Sequence, residues 1–190
     1  MTKKKQKFSS NFKFLKLLFI SPILVSIPFF NNYNYVRAGF EFQWDQNTGY
    51  KRLNWYQTSN EKRSRNSIFF FLRPRERQQS LLKINLKIPK TFNSTLKEEK
   101  ISLCRVLIGG FDARTKCLEN IQADIELSED KKSLDIYPLS PIPADKNTYA
   151  IVFKVFNPRR SGLYQFHSFG EYAGKNPVSN YLGSWTIVID

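Results

Sequence analysis

The chain holds one histidine and two cysteines in 190 residues, and those shortages exclude much chemistry at the outset. A tetrahedral zinc site needs four closely spaced nitrogen or sulfur ligands, and His167 with Cys104 and Cys117 does not supply them. A serine–histidine relay has only His167 to draw on, and neither Ser161 nor Ser168 lies in the strand–turn–helix setting of a nucleophile elbow. Acids are also scarce, 16 against 30 Lys and Arg. Their densest group, Glu126, Glu129, Asp130 and Asp135, lacks the glycine-punctuated spacing of a calcium loop and reads as a solvated turn. No metal, cofactor or catalytic residue is therefore assigned. The longest uncharged apolar run, Leu17 to Phe30, is short of the roughly 20 residues that span a bilayer. Internal repeats and low-complexity tracts are missing too, which leaves a single ordinary domain plus an appendage.

What is present leans towards strands. The sequence is 41% apolar and 15% aromatic, with 17 Phe and 9 Tyr, and flat side chains favour pleated surfaces over helices. The amino end has a different character. Lys3, Lys4, Lys5, Lys7, Lys13 and Lys16 precede the apolar run, and Val36-Arg37-Ala38 places small residues where a signal peptidase reads them. This order predicts a secretory signal over residues 1–38, cleaved after Ala38, with an uncleaved membrane anchor as the alternative. Export across the cytoplasmic membrane to periplasm, outer surface or thylakoid lumen follows, and it removes nucleic acid as a partner. In an oxidising compartment an even pair of cysteines predicts a Cys104–Cys117 disulfide.

The net charge of +14 is unevenly spread. Residues 1–38 carry 7 cations and no acid, so the rest holds 23 basic against 16 acidic residues. Lys51 to Lys90 alone contains 11 cations and 2 acids, with Trp55, Tyr56 and Phe69 to Phe71 among them. Cations beside aromatic rings suit anionic polymers and lipid headgroups. Arg63, Arg65, Arg73, Arg75, Arg77, Lys83 and Lys87 are the expected contacts, with Arg73 to Arg77 read as an exposed turn.

Residues 39–66 are expected to be irregular with short strands, and 67–190 to form the main domain. Ser67 to Leu72 reads as a strand buried on both faces. Leu82, Ile84, Leu86 and Ile88 alternate with polar residues as in a half-buried strand. Thr95-x-x-Glu98 has the spacing of a capping box before a short helical turn. Ile101 to Ile108 predicts another strand, Ile121 to Leu127 one alternating strand, and Leu134 to Ile136 a short one. Pro138, Pro141 and Pro143 predict an extended, unpaired connection. Tyr149 to Phe156, Leu163 to Phe169 and Tyr181 to Ile189 complete the set. Short strands separated by turn chemistry predict an all-β fold, an antiparallel two-sheet sandwich of immunoglobulin-like type.

Pro141 and Pro143, Asn157-Pro158 followed by Gly162-x-Tyr164-x-Phe166, then Gly174-x-Asn176-Pro177 and Tyr181-Leu182-Gly183 resemble the closing half of a cyanobacterial family of exported proteins classed only as a domain of unknown function. Leu86-Lys87-Ile88-Pro89 is similar to a strand end upstream in that family. The resemblance spans Leu81 to Asp190, is strongest over Pro141 to Gly183, implies export in a photosynthetic bacterium, and lends no activity. Its shared residues suit turns and close backbone approach rather than chemistry. The expected function is a non-enzymatic structural or binding module of the cell envelope. The alternative is a hydrolase or transferase whose carboxylates meet only in the folded chain.

Overall fold

The computed structural model describes residues 49–174 and 178–190. The expected signal over 1–38, the segment up to residue 48 and the Asn176-Pro177 turn lie outside the described residues. Ten strands carry the fold: β1 (Trp55–Gln57), β2 (Arg65–Leu72), β3 (Leu81–Lys87), β4 (Ile101–Leu107), β5 (Lys116–Ile121), β6 (Ala123–Leu127), β7 (Ser133–Pro138), β8 (Tyr149–Phe156), β9 (Gly162–Tyr172) and β10 (Ser179–Ile189). The first sheet runs β1-β2-β8-β4-β5 and the second β10-β9-β3-β7-β6, and every strand pair is antiparallel. The chain passes between sheets after β2, β3, β5, β7 and β8, giving an immunoglobulin-like antiparallel sandwich.

Alternation decides which residues meet between the sheets. Ile68, Phe70 and Leu72 of β2 and Ile151 and Phe153 of β8 face Ile84, Leu86, Phe166, Trp185 and Ile187 of the second sheet. Phe70 is the hub: its ring centroid lies 5.2 Å from Phe153, 4.9 Å from Phe166 and 5.0 Å from Trp185. The Trp185 indole N–H crosses the sandwich and donates to the Phe71 carbonyl at 3.2 Å. The other residues of β2 and β8 form a second buried apolar cluster, in which Phe69, Phe71, Ala150 and Val152 pack with Cys104 and Val106. Burial of Ser67 to Leu72 on both faces, as the unbroken apolar run predicts, follows from β2 lying inside the sheet beside the central strand β8.

Four local expectations are corrected. In β3 the pairing with β9 shifts between Leu81 and Lys83, so Leu81 takes the core position and Leu82 turns out to solvent. Ile121 to Leu127 is not one strand: the chain changes sheets at Gln122, leaving Ile121 in β5 and Ala123 in β6. The proline connection is not unpaired, because Ile142 keeps its N–H between two prolines and exchanges two 2.9 Å backbone hydrogen bonds with Leu81. Thr95 caps nothing. The 3-10 turn spans Glu98–Lys100 after Lys97, and the Glu98 carboxylate instead accepts the Leu127 N–H at 2.8 Å.

Gly183, one of the residues of the resemblance, sits within β10 where its pairing with β9 shifts. Its φ of 146° suits glycine, and a Cβ there would lie 2.6 Å from Leu53 Cγ and 2.8 Å from the Lys51 carbonyl. Lys51 to Leu53 needs that space because it runs along β10, with Leu53 N–H donating to Ser184 O at 2.8 Å and Ser184 N–H to Lys51 O at 2.7 Å.

Candidate functional site: a basic end of the sandwich

The seven cations singled out in the sequence do not form one surface. Arg77 is corrected outright, since its guanidinium is wholly buried. It donates to the carbonyls of Leu72 (3.4 Å), Asn147 (2.5 Å) and Pro143, reaches Asp145 at 3.3 Å, and lies 4.5 Å from the Tyr149 ring centroid. The exposed turn expected over Arg73 to Arg77 is a 3-10 turn, Pro74–Glu76, that directs Arg77 inward. Arg73 and Arg75 both pair with Glu76, at 3.1 and 2.8 Å, while Glu76 also accepts the Arg73 backbone N–H at 2.6 Å.

Lys83 and Lys87 stand on the outward face of β3. Lys83 meets Asp135 at 3.3 Å and Glu171 at 3.9 Å, and the Tyr137 hydroxyl, outweighing partial burial, helps hold its ammonium above the ordinary lysine value. Lys87 is exposed and donates to Ser133 Oγ at 3.1 Å.

Arg63 and Arg65 belong elsewhere, with cations that sequence reasoning passed over. The turn between β1 and β2 packs against the turn between β8 and β9: Asn157 N–H donates to Ser64 O at 2.9 Å and Arg63 N–H to Pro158 O at 3.4 Å. Two buried amides lock them. Asn66 Nδ2 donates to Asn157 Oδ1 at 2.8 Å, and Asn66 Oδ1 accepts the N–H groups of Thr58 and Ser59 at 3.0 and 3.1 Å. Asn157 Nδ2 donates to the carbonyls of Ser59 (3.1 Å) and Glu61 (2.8 Å). Tyr164 closes the second turn, its hydroxyl donating to Arg160 O at 2.6 Å.

Exposed Lys62, Arg63, Arg65, Lys154, Arg159 and Arg160 therefore gather on one end of the sandwich. Arg65 lies opposite Phe156 in the β2–β8 register, 5.7 Å from its ring centroid, and Lys154 is two residues along the same face. Glu61 and Asp190 are the acids of this end, the Asp190 N–H being tied to Asn60 O at 2.8 Å. Among the described residues none of the six cations makes an ion pair. The available signal was Arg159-Arg160 directly after Asn157-Pro158. Along the chain that pair marks a turn alone, because a sequence window cannot see the β1–β2 turn beside it.

The acids and the histidine are placed as well. Glu126 faces Asp135 across β6 and β7, and Asp135 accepts from Asn85 Nδ2 at 2.7 Å besides pairing with Lys83. Asp130 lies in an exposed turn where the Ser128 hydroxyl holds its carboxyl below the ordinary value. The open groove beside β5 holds one carboxylate, Glu119, already 3.2 Å from Arg105. His167 Nδ1 bonds Ser184 Oγ at 2.7 Å, but Ser184 is fully buried and also holds the Tyr181 hydroxyl. Ser168 faces the core. Cys104 and Cys117 form the expected disulfide across β4 and β5, with Cα atoms 5.7 Å apart.

Three solved structures are similar in backbone path. The bacterial hydrophobin BslA matches at 13% identity over 73% of this chain and 97% of its own, with a TM-score of 0.45. The collagen-binding domain of a Staphylococcus aureus adhesin matches at 12% identity over 71% of this chain and 95% of its own, TM-score 0.39. ACE19, the collagen-binding subdomain of the Enterococcus faecalis surface protein ACE, matches at 8% identity over 70% and 95%, TM-score 0.39. No curated protein matches the chain. The family pattern described as protein of unknown function (DUF2808) matches residues 41–189, and the chain belongs to that family.

Proposed function

We propose that this protein is an exported, non-enzymatic binding module of the bacterial cell envelope, holding an anionic envelope polymer or lipid headgroups at the basic end of its sandwich. One observation carries the reading: six exposed cations, four on two turns locked by buried amides and two on the adjoining strand ends, with no acid spent on them among the described residues. The four arginines suit phosphate, sulfate and carboxylate groups, which a guanidinium fork grips at two points. The locked turns matter because a preorganised cation set loses little freedom on binding. The disulfide supports an oxidising destination.

The test is salt-dependent retention on immobilised sulfated or carboxylated polysaccharide and on purified envelope material. Changing Arg63, Arg65, Arg159 and Arg160 to Ser should abolish retention. Changing Arg73 and Arg75 to Ser should leave it intact, because both are engaged by Glu76 and stand apart from that end. Equal loss from both sets, or retention indifferent to salt, would overturn the proposal.

A further inference from the structure

The opposite end of the first sheet carries the reverse chemistry. In the register Arg105 lies beside Tyr149 and Ile101 beside Phe153, so β4 runs away from the basic end and its hairpin with β5 projects from the far end. From Val106 to Phe111 the hairpin has no charge. Phe111 is completely exposed, at 107% of its reference area, Leu118 at 48%, Ile108 at 45% and Leu107 at 38%. A free aromatic ring on a soft loop would fold back over the sheet, since burying it removes a large apolar area from water.

This loop is not soft. Gly110 N–H donates to Ala113 O and Gly109 N–H to Thr115 Oγ1, both at 2.9 Å. A Cβ on Gly109 would come within 2.5 Å of Thr115 N, so the turn closes only around glycine. The Cys104–Cys117 disulfide ties the base. Arg114 and Lys116 follow Phe111, exposed and without an ion pair among the described residues, while Asp112 is the one acid of the loop.

The geometry points to a membrane-docking tip: the stapled hairpin seats Phe111 and Ile108 at the headgroup–acyl boundary of a lipid bilayer and sets Arg114 and Lys116 among the phosphates. A convex apolar tip with cations at its shoulder matches a deformable interface, where rings and aliphatic chains enter and charges stay in the headgroup layer. Rigidity lets it enter without ordering cost. This surface is separate from the basic end, so each stands or falls alone.

The experiment uses the intact chain, with Phe111→Trp measured against the parent and its three tryptophans. The probe is vesicles of phosphatidylcholine and phosphatidylglycerol, with and without brominated acyl chains. The variant should gain a blue-shifted emission component that brominated chains quench and the parent lacks, and reduction of the disulfide should abolish that gain. Polysaccharide retention of Phe111→Ser should equal the parent's. Added emission that stays water-like and unquenched on vesicle-bound protein overturns the proposal. So does a blue shift that grows with protein concentration without lipid, which would assign the hairpin to self-association.

Discussion

Arg77→Met is the most demanding check on the interior. The substitution keeps most of the apolar stem and deletes the guanidinium, leaving the carbonyls of Leu72, Pro143 and Asn147 without their donor. A buried acceptor stripped of its partner costs about 1–3 kcal/mol. Asp145 is 31% exposed and regains water, so its share is small. Relief of the arginine's own desolvation offsets part of the loss. The balance is a destabilisation of roughly 3–4 kcal/mol, or a fall in melting temperature of about 10 °C for a domain of this size. Arg77→Lys should lose about 2–3 kcal/mol, because one ammonium cannot span acceptors arranged for a planar fork. Arg75→Ser, on the exposed side of the same turn, should stay within about 0.5 kcal/mol of the parent.

Urea unfolding followed by tryptophan emission measures all three variants, with the midpoint read at constant slope so that the change is one of stability. If Arg77→Met unfolds within about 1 kcal/mol of the parent, the buried guanidinium is not holding the β7–β8 connection to the end of β2. Loss of polyanion retention by a fully folded Arg77→Met protein would refute the same reasoning from the other side.

Asn157→Ala removes the amide that joins the two basic turns and leaves Asn66 Nδ2 and the Ser59 carbonyl unpaired, while the Glu61 carbonyl keeps the Ser64 hydroxyl at 2.9 Å. It should cost about 2–3 kcal/mol by urea unfolding and weaken polysaccharide retention without altering a single charge. Ser168→Ala should be neutral or stabilise by up to about 1 kcal/mol, since that fully buried hydroxyl has no partner among the described residues; a loss above about 2 kcal/mol in thermal unfolding would show otherwise. For Asp145, burial alone would raise the carboxyl, but bonds from Asn147, Tyr149 and Arg77 outweigh it and the folded value lies below the ordinary 3.8. A lowered folded value means its stabilisation is complete above the unfolded value and is lost as pH falls through the folded one. Asp145→Asn should therefore flatten the acid limb of the stability curve below about pH 4, and an unchanged limb in acid unfolding would sink the assignment.

The fold was legible where one rule governs a whole segment. Tyr149 to Phe156 is β8 residue for residue because its apolar stretch Tyr149 to Phe153, carried on past exposed Lys154 and bounded by turn signals, describes a central strand packed on both faces. The sequence pattern failed where a partner strand imposes the answer. Leu82 keeps the alternation of Ile84 and Leu86, yet the shift against β9 sends Leu81 inward instead. Ile121 to Leu127 alternates correctly on both sides of Gln122, and nothing in an alternation marks the step from one sheet to the other. The basic surface was half legible for the same reason. Arg63 and Arg65 announce themselves by composition, but Arg159 and Arg160 join them only because Asn66 and Asn157, 91 residues apart, share a hydrogen bond. Arg77 looked like its neighbours, and only burial separates it from Arg75.

Both proposed surfaces lie at the ends of the sandwich, and the closing of the sheet edges gives a physical reason for looking there rather than along the sides. On one side Lys51 to Leu53 pairs with β10 of the second sheet, and the same chain continues as β1 on β2 of the first. On the other side β5 pairs with β4 in the first sheet and, past Gln122, β6 pairs with β7 in the second. Each flank is thus laced by one segment that serves both sheets. Gln57 of β1 adds a side-chain bond to the Val188 carbonyl of β10 at 2.8 Å. Open edges are the usual route by which sandwiches add a foreign strand or stack on one another, and a segment that turns from one sheet to the other offers a bent, short template for that. Among the described residues, the cation-bearing pair of turns at one end and the stapled hairpin at the other carry no such lacing. The two proposals thus assign an anionic polymer and a lipid surface to opposite ends of one sandwich, and retention on each can be measured separately.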